Sequence, residues 1–544
     1  MKALNFAKKL ISAVVCGLVG ILSAVVFVFS LLTVIRFRQE EQNDLFEILP
    51  ENVPLLLLSM AAFLALTALI LWLFRKHPGR CSGEMGTSSD RPPFPWPMMI
   101  TAGVMSLLLV LVIRGNATND ALQLDTIMQE FRSGNYGALS EGGYLFVYPF
   151  QITYVLIGEV ISLLAGPSNY LVYQLLNVVS ILCNLYFLYQ ICWEAFHDRE
   201  VCLVMQLLSM GCWFYYVFAT FIYADLWSFP FQTAALWLEV LYLRRGKLRY
   251  EMGAGACIAA ATLLKTNCYI ALIAMMVILV LYAYRPRRRQ EGKAAAGAGK
   301  RFLTALLLAV LLLVMTKGAQ ALVNAGAARM AGLSEMPSGV PSAAYFAMGM
   351  QETEGKYGWY NGTNVGLYSQ SGYDREETIR NAAESMKSSI GEFRNSGRYF
   401  VKFCAGKFLS QWGDPTCVSM REMEETRRHT GELPTLVSSL IFGTGSRILQ
   451  WGMNVIHSLI YLGMVWYMGV ILHRKRKTGK SGIGEAELLL LVFIAGGMLF
   501  HEIWEASGRY TMRYYLTMLP LASFGLCQLV RQVLTIAGTA GSEG

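Results

Sequence analysis

The sequence predicts an all-α polytopic membrane protein with a bundle of about 12 transmembrane helices. Hydrophobic residues make up 54% of the 544 residues and charged residues only 15%, whereas a soluble domain carries about 25% charged residues. Apolar runs of about 20 residues, long enough to cross a bilayer core of about 30 Å, recur along the chain. Lysine and arginine collect in short clusters between these runs, so the net charge of +9 indicates membrane orientation and not nucleic-acid binding.

The predicted spans follow the apolar runs. The first run comes after Lys2, Lys8 and Lys9, in the manner of a signal peptide. It is too long for one and no small-residue cleavage site follows it, so we expect a retained helix. The predicted spanning helices cover residues 10–35, 53–74, 96–114, 170–192, 200–224, 226–243, 251–266, 268–284, 302–323, 446–472, 485–503 and 511–535.

One further apolar stretch, residues 146–165, decides the predicted topology. If it does not cross and the N-terminus is cytoplasmic, basic clusters at 244–249, 285–289 and 474–477 all lie inside. If it crosses, all three lie outside, against the positive-inside rule. The acidic turn at 194–200 would also lie inside, but acidic residues contribute little to that rule. We therefore expect 146–165 to be a juxtamembrane helix at the outer surface, with both termini cytoplasmic.

This topology divides the chain into four parts. They are an N-terminal pair of transmembrane helices (1–95), a transmembrane core (96–323) with a first outer loop (115–168), a large extracytoplasmic loop (324–445), and C-terminal transmembrane helices with a short cytoplasmic tail (446–544).

Two amphipathic helices are expected at the outer surface. Apolar residues spaced by three and four predict one helix over 376–411 that rests on the membrane. A shorter interfacial helix is predicted over 121–132, with Asp120 as its N-cap. Its lipid-facing residues would be Leu122, Leu124, Ile127, Met128 and Phe131.

Ionisable and aromatic side chains crowd the predicted outer face. A carboxylate there can take the proton from an acceptor hydroxyl as a general base. Lysine or arginine can hold a phosphate and stabilise the charge that grows on it as it leaves. Both roles suit group transfer from a lipid phosphate. The candidate residues are Asp120, Asp125, Tyr148, Asp225, Lys265, Lys407, Glu505, Arg509 and Tyr510.

Short motifs carry these residues in a fixed order. They are Asp120 with Gly134-Asn135-Tyr136, Tyr144 and Tyr148-Pro149; Tyr223-Ala224-Asp225; Leu264-Lys265; Met348-Gly349-Met350 with Trp359-Tyr360-Asn361-Gly362; Lys407 with Trp412-Gly413-Asp414; and Glu505 with Arg509-Tyr510 and Pro520. Over residues 96–535 they resemble GT-C-type glycosyltransferases, the branch of protein O-mannosyltransferases and aminoarabinose transferases that use polyprenyl-phosphate sugars. The long loop resembles that of Firmicutes-type members.

The resemblance implies a GT-C-like bundle and an inverting membrane glycosyltransferase. It would move a sugar from a polyprenyl phosphate to a hydroxyl of a cell-wall polymer, a lipid glycan or a protein. Asp120 would be the base, Asp225 would support it or orient the acceptor, and Lys265 and Arg509 would hold the phosphate. The remaining substrate-binding candidates are Asp125, Tyr148, Lys407, Glu505 and Tyr510. The family often has Asp-Glu at the first acidic position, whereas Ala121 follows Asp120 here, so Asp125 remains an alternative base.

Two other functions are compatible with the composition. A transporter or lipid-glycan flippase would need ionisable residues inside the membrane, and a non-catalytic anchor could use the long loop. No metal site is expected, because the histidines lack zinc-binding spacing, and no cofactor is expected beside the polyprenyl-phosphate donor. The other expected partners are membrane lipids and an acceptor that the sequence does not identify. Cys404 and Cys417 share a polar loop and could pair, although scattered thiols are expected.

Overall fold

The computed structural model describes residues 2–37, 45–76, 92–282, 298–427, 432–478 and 482–540. The predicted all-α polytopic class is confirmed. Eight helices in these ranges are long and apolar enough to cross a membrane, or up to ten if each of two bent helix pairs is one span. The basic cluster at 285–289 lies outside the described residues.

The N-terminal part contains a β-hairpin between its two helices, which the sequence interpretation missed. The chain runs through α1 (Lys2–Leu32), β1 (Thr33–Phe37), β2 (Phe46–Pro50) and α2 (Val53–Lys76). The two strands pair antiparallel, with Ile35 opposite Ile48. The first helix therefore ends three residues before its predicted end, where Thr33, Val34 and Ile35 form a β-branched run that favours extended backbone.

The core begins with a helix, the first loop and then a series of closely packed helices. Their bounds are α3 (Trp96–Ile113), α4 (Asn119–Arg132), α5 (Tyr144–Val147), α6 (Ile152–Ala165), α7 (Tyr170–Phe196), α8 (Arg199–Met210), α9 (Trp213–Val217), α10 (Asp225–Arg245), α11 (Leu248–Leu264), α12 (Tyr269–Tyr282) and α13 (Ala298–Met330).

The span predicted over 200–224 is broken. Helices α8 and α9 belong to segments that bend by 53° at Gly211 and Cys212. A Cβ on Gly211 would lie 2.4 Å from Cδ1 of Ile456, so the break sits where the backbone meets another helix closely.

Helix α4 differs from its prediction in two ways. Its N-cap position is Thr118, and Asp120 lies in its first turn. The expected lipid-facing side chains Leu124, Ile127, Met128 and Phe131 are buried inside the protein, and only Leu122 is exposed. The helix packs on α6, where a Cβ on Gly158 would lie 2.1 Å from Sδ of Met128.

The apolar stretch 146–165 is bent and does not form one straight helix. The segments Gly137–Val147 and Pro149–Ala165 meet at 103°. Pro149 explains the bend, because its ring excludes a helical hydrogen bond and restricts the residue before it.

The long loop is largely helical. Its elements are α14 (Ser342–Gly349), β3 (Glu352–Thr353), β4 (Lys356–Tyr357), α15 (Thr363–Gln370), α16 (Arg375–Asn395), α17 (Gly397–Trp412), α18 (Ser419–Glu425) and α19 (Thr435–Ile441). The single helix predicted over 376–411 is wrong. It divides at Ser396, whose hydroxyl caps α17 by accepting from Tyr399 N at 3.2 Å, since serine favours N-caps over helix interiors.

The C-terminal part returns to long helices. They are α20 (Thr444–Thr478), α21 (Glu485–Ile503), α22 (Gly508–Thr517) and α23 (Leu519–Ala540). The helix predicted over 511–535 begins earlier, at Gly508, and is interrupted at Met518.

Ion pairs join the helix ends around the acidic turn at 194–200. Arg244, at the C-terminal end of α10, contacts Glu194 and Glu485 at 3.0 Å each. Arg531 contacts Asp198 and Glu200 at 2.8 Å each. The acidic turn at 194–200 would lie on the side where the positive-inside rule expects basic residues. Its carboxylates are neutralised by basic side chains at the same end of the bundle.

Candidate active site

A cavity of about 410 Å³ brings together residues from the transmembrane core, the long loop and the C-terminal part of the chain. Six of the nine sequence-predicted site residues line it: Asp120, Tyr148, Lys265, Glu505, Arg509 and Tyr510. A seventh, Asp225, lies behind Lys265 and is 2% exposed. The cavity therefore combines carboxylates and cations from distant segments in one space.

A helical hairpin places Asp225 beside Lys265. Helices α10 and α11 are joined at Gly246, which takes a left-handed conformation with φ 66°, and they pack along their lengths. Asp225 begins α10 and Lys265 follows α11, each about twenty residues from that turn, so equal rise per residue brings them level. The Lys265 ammonium lies 3.0 Å from the Asp225 carboxylate. Each charge also suits its helix end, an anion at the N-terminus and a cation at the C-terminus.

Aromatic rings surround the Lys265 ammonium. Its Nζ lies 5.3 Å from the ring centroids of both Tyr223 and Tyr510, within cation–π range. The Tyr223 hydroxyl accepts a hydrogen bond from the side-chain amide of Gln151, which also lines the cavity. The ammonium is thus held between two rings, and Asp225 occupies only part of its three-donor capacity.

Arg509 provides a second cation in the same wall. Its Nη1 lies 2.9 Å from the Glu422 carboxylate, and its guanidinium carbon is 5.4 Å from the Phe221 ring and 5.6 Å from the Tyr223 ring. Its Nε is buried and has no hydrogen-bond partner among the described residues. A guanidinium with an unused N–H donor in a cavity can bind a further anionic oxygen.

Asp120 is the exposed carboxylate of the cavity. It lies in the first turn of α4, a position where the helix dipole stabilises a negative charge. The Tyr144 hydroxyl lies beside it. Asp120 therefore offers a solvent-accessible base in the same cavity as Lys265 and Arg509.

Glu505 is a second carboxyl in the wall, but it is only 9% exposed. It accepts a hydrogen bond from the Tyr510 hydroxyl at 3.1 Å. Burial raises the pKa of Glu505 to about 7, since a desolvated carboxyl favours its neutral form. Its charge therefore changes near neutral pH.

Besides Asp225, two predicted site residues, Asp125 and Lys407, do not line the cavity. Asp125, expected at a solvated position, is 7% exposed and accepts hydrogen bonds from Ser168 Oγ at 2.7 Å and Tyr170 OH at 3.0 Å. Lys407, expected in a solvent-exposed loop, is fully buried and donates to the backbone carbonyls of Gly349 and Trp504. Burial lowers the pKa of Lys407, because desolvation disfavours its charged form. The hydrogen bonds of Asp125 and of Lys407 therefore hold together segments that are distant in the chain.

Helix α18 supplies cavity residues that the sequence interpretation missed. Arg421, Glu422 and Glu425 line the cavity, and Arg421, 2% exposed, lies 2.7 Å from Glu425. In the sequence, a mixed-charge run such as residues 421–425 is typical of a solvated helix face. Only the structure shows that this run is partly buried and lines the cavity. Asp414 fixes the preceding turn by accepting from Thr416 N at 2.9 Å and Val418 N at 2.7 Å.

The N-terminal β-hairpin, formed by β1 and β2, supports one wall of the cavity. Trp359, which lines the cavity, lies 5.3 Å from the ring of Phe46 and 6.1 Å from that of Phe37. Its indole N–H donates to Ser410 Oγ at 2.9 Å. The backbone beside it is tied to the last helices, because Ala506 N donates to Gly358 O at 2.8 Å. The hairpin, which precedes the part with family motifs, is thereby joined to the site.

The cysteines in the described ranges are unpaired. Cys404 is half-buried on α17 and Cys417 is buried in the turn before α18, and both are free thiols. The expectation of scattered thiols is confirmed for these two residues.

The solved structures that match this chain include two of the same protein. One is ArnT from Cupriavidus metallidurans bound to undecaprenyl phosphate, 13% identical, with 79% of this chain and 77% of that chain covered and a TM-score of 0.31. The other is ArnT from Cupriavidus metallidurans in the apo state, 12% identical, with 79% and 76% covered and a TM-score of 0.32. No family model and no curated protein matches the chain.

Proposed function

We propose that this protein is an integral-membrane glycosyltransferase that moves a sugar from a polyprenyl-phosphate donor to an acceptor hydroxyl. The observation that carries the proposal is the shared cavity, which the exposed Asp120 carboxylate lines together with Lys265 and Arg509. The donor class comes from the family resemblance of the motifs that hold these residues.

The proposed reaction is a single displacement with inversion at the anomeric carbon. The Asp120 carboxylate takes the proton of the acceptor hydroxyl, and the acceptor oxygen forms a bond to the anomeric carbon. The bond between that carbon and the phosphate oxygen breaks, and its electron pair leaves with the polyprenyl phosphate. Lys265 and Arg509 stabilise the charge on the departing phosphate. A phosphate is already a good leaving group, so the reaction needs no general acid.

The ion pairs of the two cations suit this role. Asp225 and Glu422 hold Lys265 and Arg509 in place, while Lys265 keeps further N–H donors and Arg509 keeps its unpartnered Nε. The phosphate would therefore meet donors that are already oriented, which lowers the cost of ordering them on binding.

We further propose that the cavity opens on the extracytoplasmic side. The basic residues Arg244 and Arg245 end α10, whose first residue, Asp225, lies at the cavity. A helix of 21 residues spans about 30 Å, the thickness of a bilayer core. Basic residues favour the cytoplasmic side, so the opposite end of α10 would face outward.

Sugar transfer in proteoliposomes tests the proposal. The assay supplies radiolabelled polyprenyl-phosphate sugars together with a cell-envelope extract as acceptor, and follows both polyprenyl phosphate release and labelled product. Asp120→Asn should lower transfer by a factor of about 10² to 10⁴, the usual contribution of a general base.

The matched control is Asp374→Asn. Asp374 is an N-cap carboxylate that accepts from Glu377 N at 2.7 Å, and asparagine caps helices as well as aspartate does, so this variant should transfer sugar normally. Near-full activity of Asp120→Asn would refute the base assignment. Movement of the donor between leaflets with no glycosidic product would refute the enzyme assignment in favour of a flippase.

A further inference from the structure

A second cavity adjoins the active-site cavity along helix α4. It has a volume of about 660 Å³, and we call it the α4 groove. Thr118 and Asn119 line both cavities. Asp120 follows Asn119 in the chain, so the groove meets the active-site cavity beside the proposed base.

The α4 groove is lined by uncharged side chains, most of them polar. Within the described part of the chain, no lining residue carries a charge. Asn116, Asn119 and Gln123 are exposed, and their side-chain amides make no hydrogen bond to other described residues. Asn119 and Gln123 are four residues apart on α4, so they share one helix face. Each amide offers two donors and an acceptor to a ligand in the groove.

The floor of the groove is rigidly packed. Asn116 N donates to the carbonyl of Thr426 at 3.0 Å, and Thr426 is 2% exposed. A Cβ on Gly115 would lie 2.8 Å from Cβ of Thr426, so the loop before α4 and the end of α18 approach as closely as glycine allows. The amides are therefore presented from a preformed surface.

We infer that the α4 groove binds the acceptor and that the acceptor is an uncharged carbohydrate. The inference rests on the proposed glycosyl transfer and deepens it by naming the acceptor class. Sugar hydroxyls both donate and accept hydrogen bonds, which matches side-chain amides. Leu122, 50% exposed in the same lining, offers an apolar surface to the C–H face of a sugar ring.

An anionic acceptor fits this groove poorly. Its lining supplies no cation, and the Asp120 carboxylate at its inner end repels a phosphate or carboxylate. A different cavity, of about 230 Å³, is lined by Arg36, Arg421 and Arg447 together with Glu47 and Glu424. Three cations against two carboxylates leave it a net positive charge, so it would attract an anionic polymer more than the α4 groove does. The two acceptor classes are thus distinguishable by where they bind.

A labelling experiment tests the binding site without catalysis. Gln123→Cys in proteoliposomes is modified by a membrane-impermeant maleimide in the presence of maltotriose or of a glycerol-phosphate oligomer. Maltotriose at about 10 mM should slow labelling about tenfold if its Kd is about 1 mM, and the phosphate oligomer should not. Ser133→Cys, exposed at the C-terminal end of the same helix but outside the groove, is the matched control, and the wild type gives the background from native cysteines.

A transfer experiment separates this inference from the proposed function. Gln123→Ala should raise the KM for a neutral oligosaccharide acceptor about two- to tenfold, the effect of one hydrogen bond, while the donor KM stays constant. If the wild type releases no polyprenyl phosphate with any acceptor, the proposed function fails. Suppose instead that the wild type transfers sugar, but that maltotriose does not protect the thiol of the Gln123→Cys variant, whether or not the phosphate oligomer does. The inference of a carbohydrate-binding groove is then wrong, and the glycosyltransferase assignment stands.

Discussion

The Lys265 ammonium lies 3.0 Å from the Asp225 carboxylate, and Asp225 is 2% exposed at the start of a neighbouring antiparallel helix. Asp225 is therefore placed to hold Lys265 at the cavity wall. The proposed phosphate site depends on this pair, because a half-buried lysine without its partner holds its charge less favourably.

A double-mutant cycle tests this dependence. Asp225→Asn should lower sugar transfer about 10- to 100-fold and raise the donor KM, because Lys265 loses the carboxylate that holds it. Each factor of ten in transition-state binding corresponds to about 1.4 kcal/mol. Lys265→Met should have the same signature, and the double variant should be no worse than Lys265→Met. Single-variant losses that multiply in the double variant would show that Asp225 acts independently of Lys265. Thermal unfolding of each variant controls for misfolding.

The two candidate bases are separable by isosteric substitution. Asp120→Asn should lower kcat about 10²- to 10⁴-fold. Asp125→Asn should keep kcat within about threefold and lower stability by about 1 kcal/mol, because its amide oxygen can still accept from Ser168 and Tyr170. The measurements are kcat per folded molecule and thermal unfolding. The opposite ranking of the two kcat values would identify Asp125 as the base.

Glu505 should make donor binding depend on pH. Burial raises its pKa to about 7, so the side chain is mostly neutral below that pH and negative above it. The negative form repels the donor phosphate near Arg509, and we expect the donor KM to rise about three- to tenfold between about pH 6 and 8, a coupling of roughly 1 kcal/mol. Glu505→Gln, which stays neutral, should remove this rise. A donor KM with the same pH dependence in both proteins would contradict the assignment.

Lys407 should act through stability and not through donor binding. It is fully buried and donates to the carbonyls of Gly349 and Trp504. Lys407→Met leaves both carbonyls without this donor, and we expect a loss of about 2 to 4 kcal/mol in the free energy of unfolding. Lys402→Met, exposed on the same helix, should be neutral. A raised donor KM with unchanged stability would instead support direct phosphate binding by Lys407.

The N-terminal β-hairpin should influence the active site through Trp359. Phe46→Ala removes a ring 5.3 Å from Trp359, and we expect a loss of about 1 to 3 kcal/mol in stability with a several-fold higher substrate KM. Ile48→Ala, on the same strand and 51% exposed, is the matched control. Equal kinetics for Phe46→Ala and the wild type would show that the hairpin does not influence the active site.

Much of the site follows from local sequence pattern. Apolar runs placed the helices, and the basic clusters between them placed Asp225 and Lys265 on one predicted outer face. The same pattern placed Asp120 and Arg509 at helix starts, close to where they occur. The helix breaks at Gly211 and Ser396 were not predicted, because a close helix contact in one case and a capping hydroxyl in the other outweigh apolar periodicity.

The sequence by itself determined the class of protein, the helical bundle and four of the charged residues that line its cavity, Asp120, Lys265, Glu505 and Arg509, because hydropathy and charge patterns are properties of local segments. Only the tertiary structure decided which charged residues meet in the cavity and which partners they have. In the folded protein, Asp125 and Lys407 are buried and hydrogen-bonded to distant segments. Arg509 is paired with Glu422, and the N-terminal β-hairpin packs against Trp359. These outcomes depend on contacts between distant segments, where burial and partner geometry set the role of each side chain, and no local pattern contains that information.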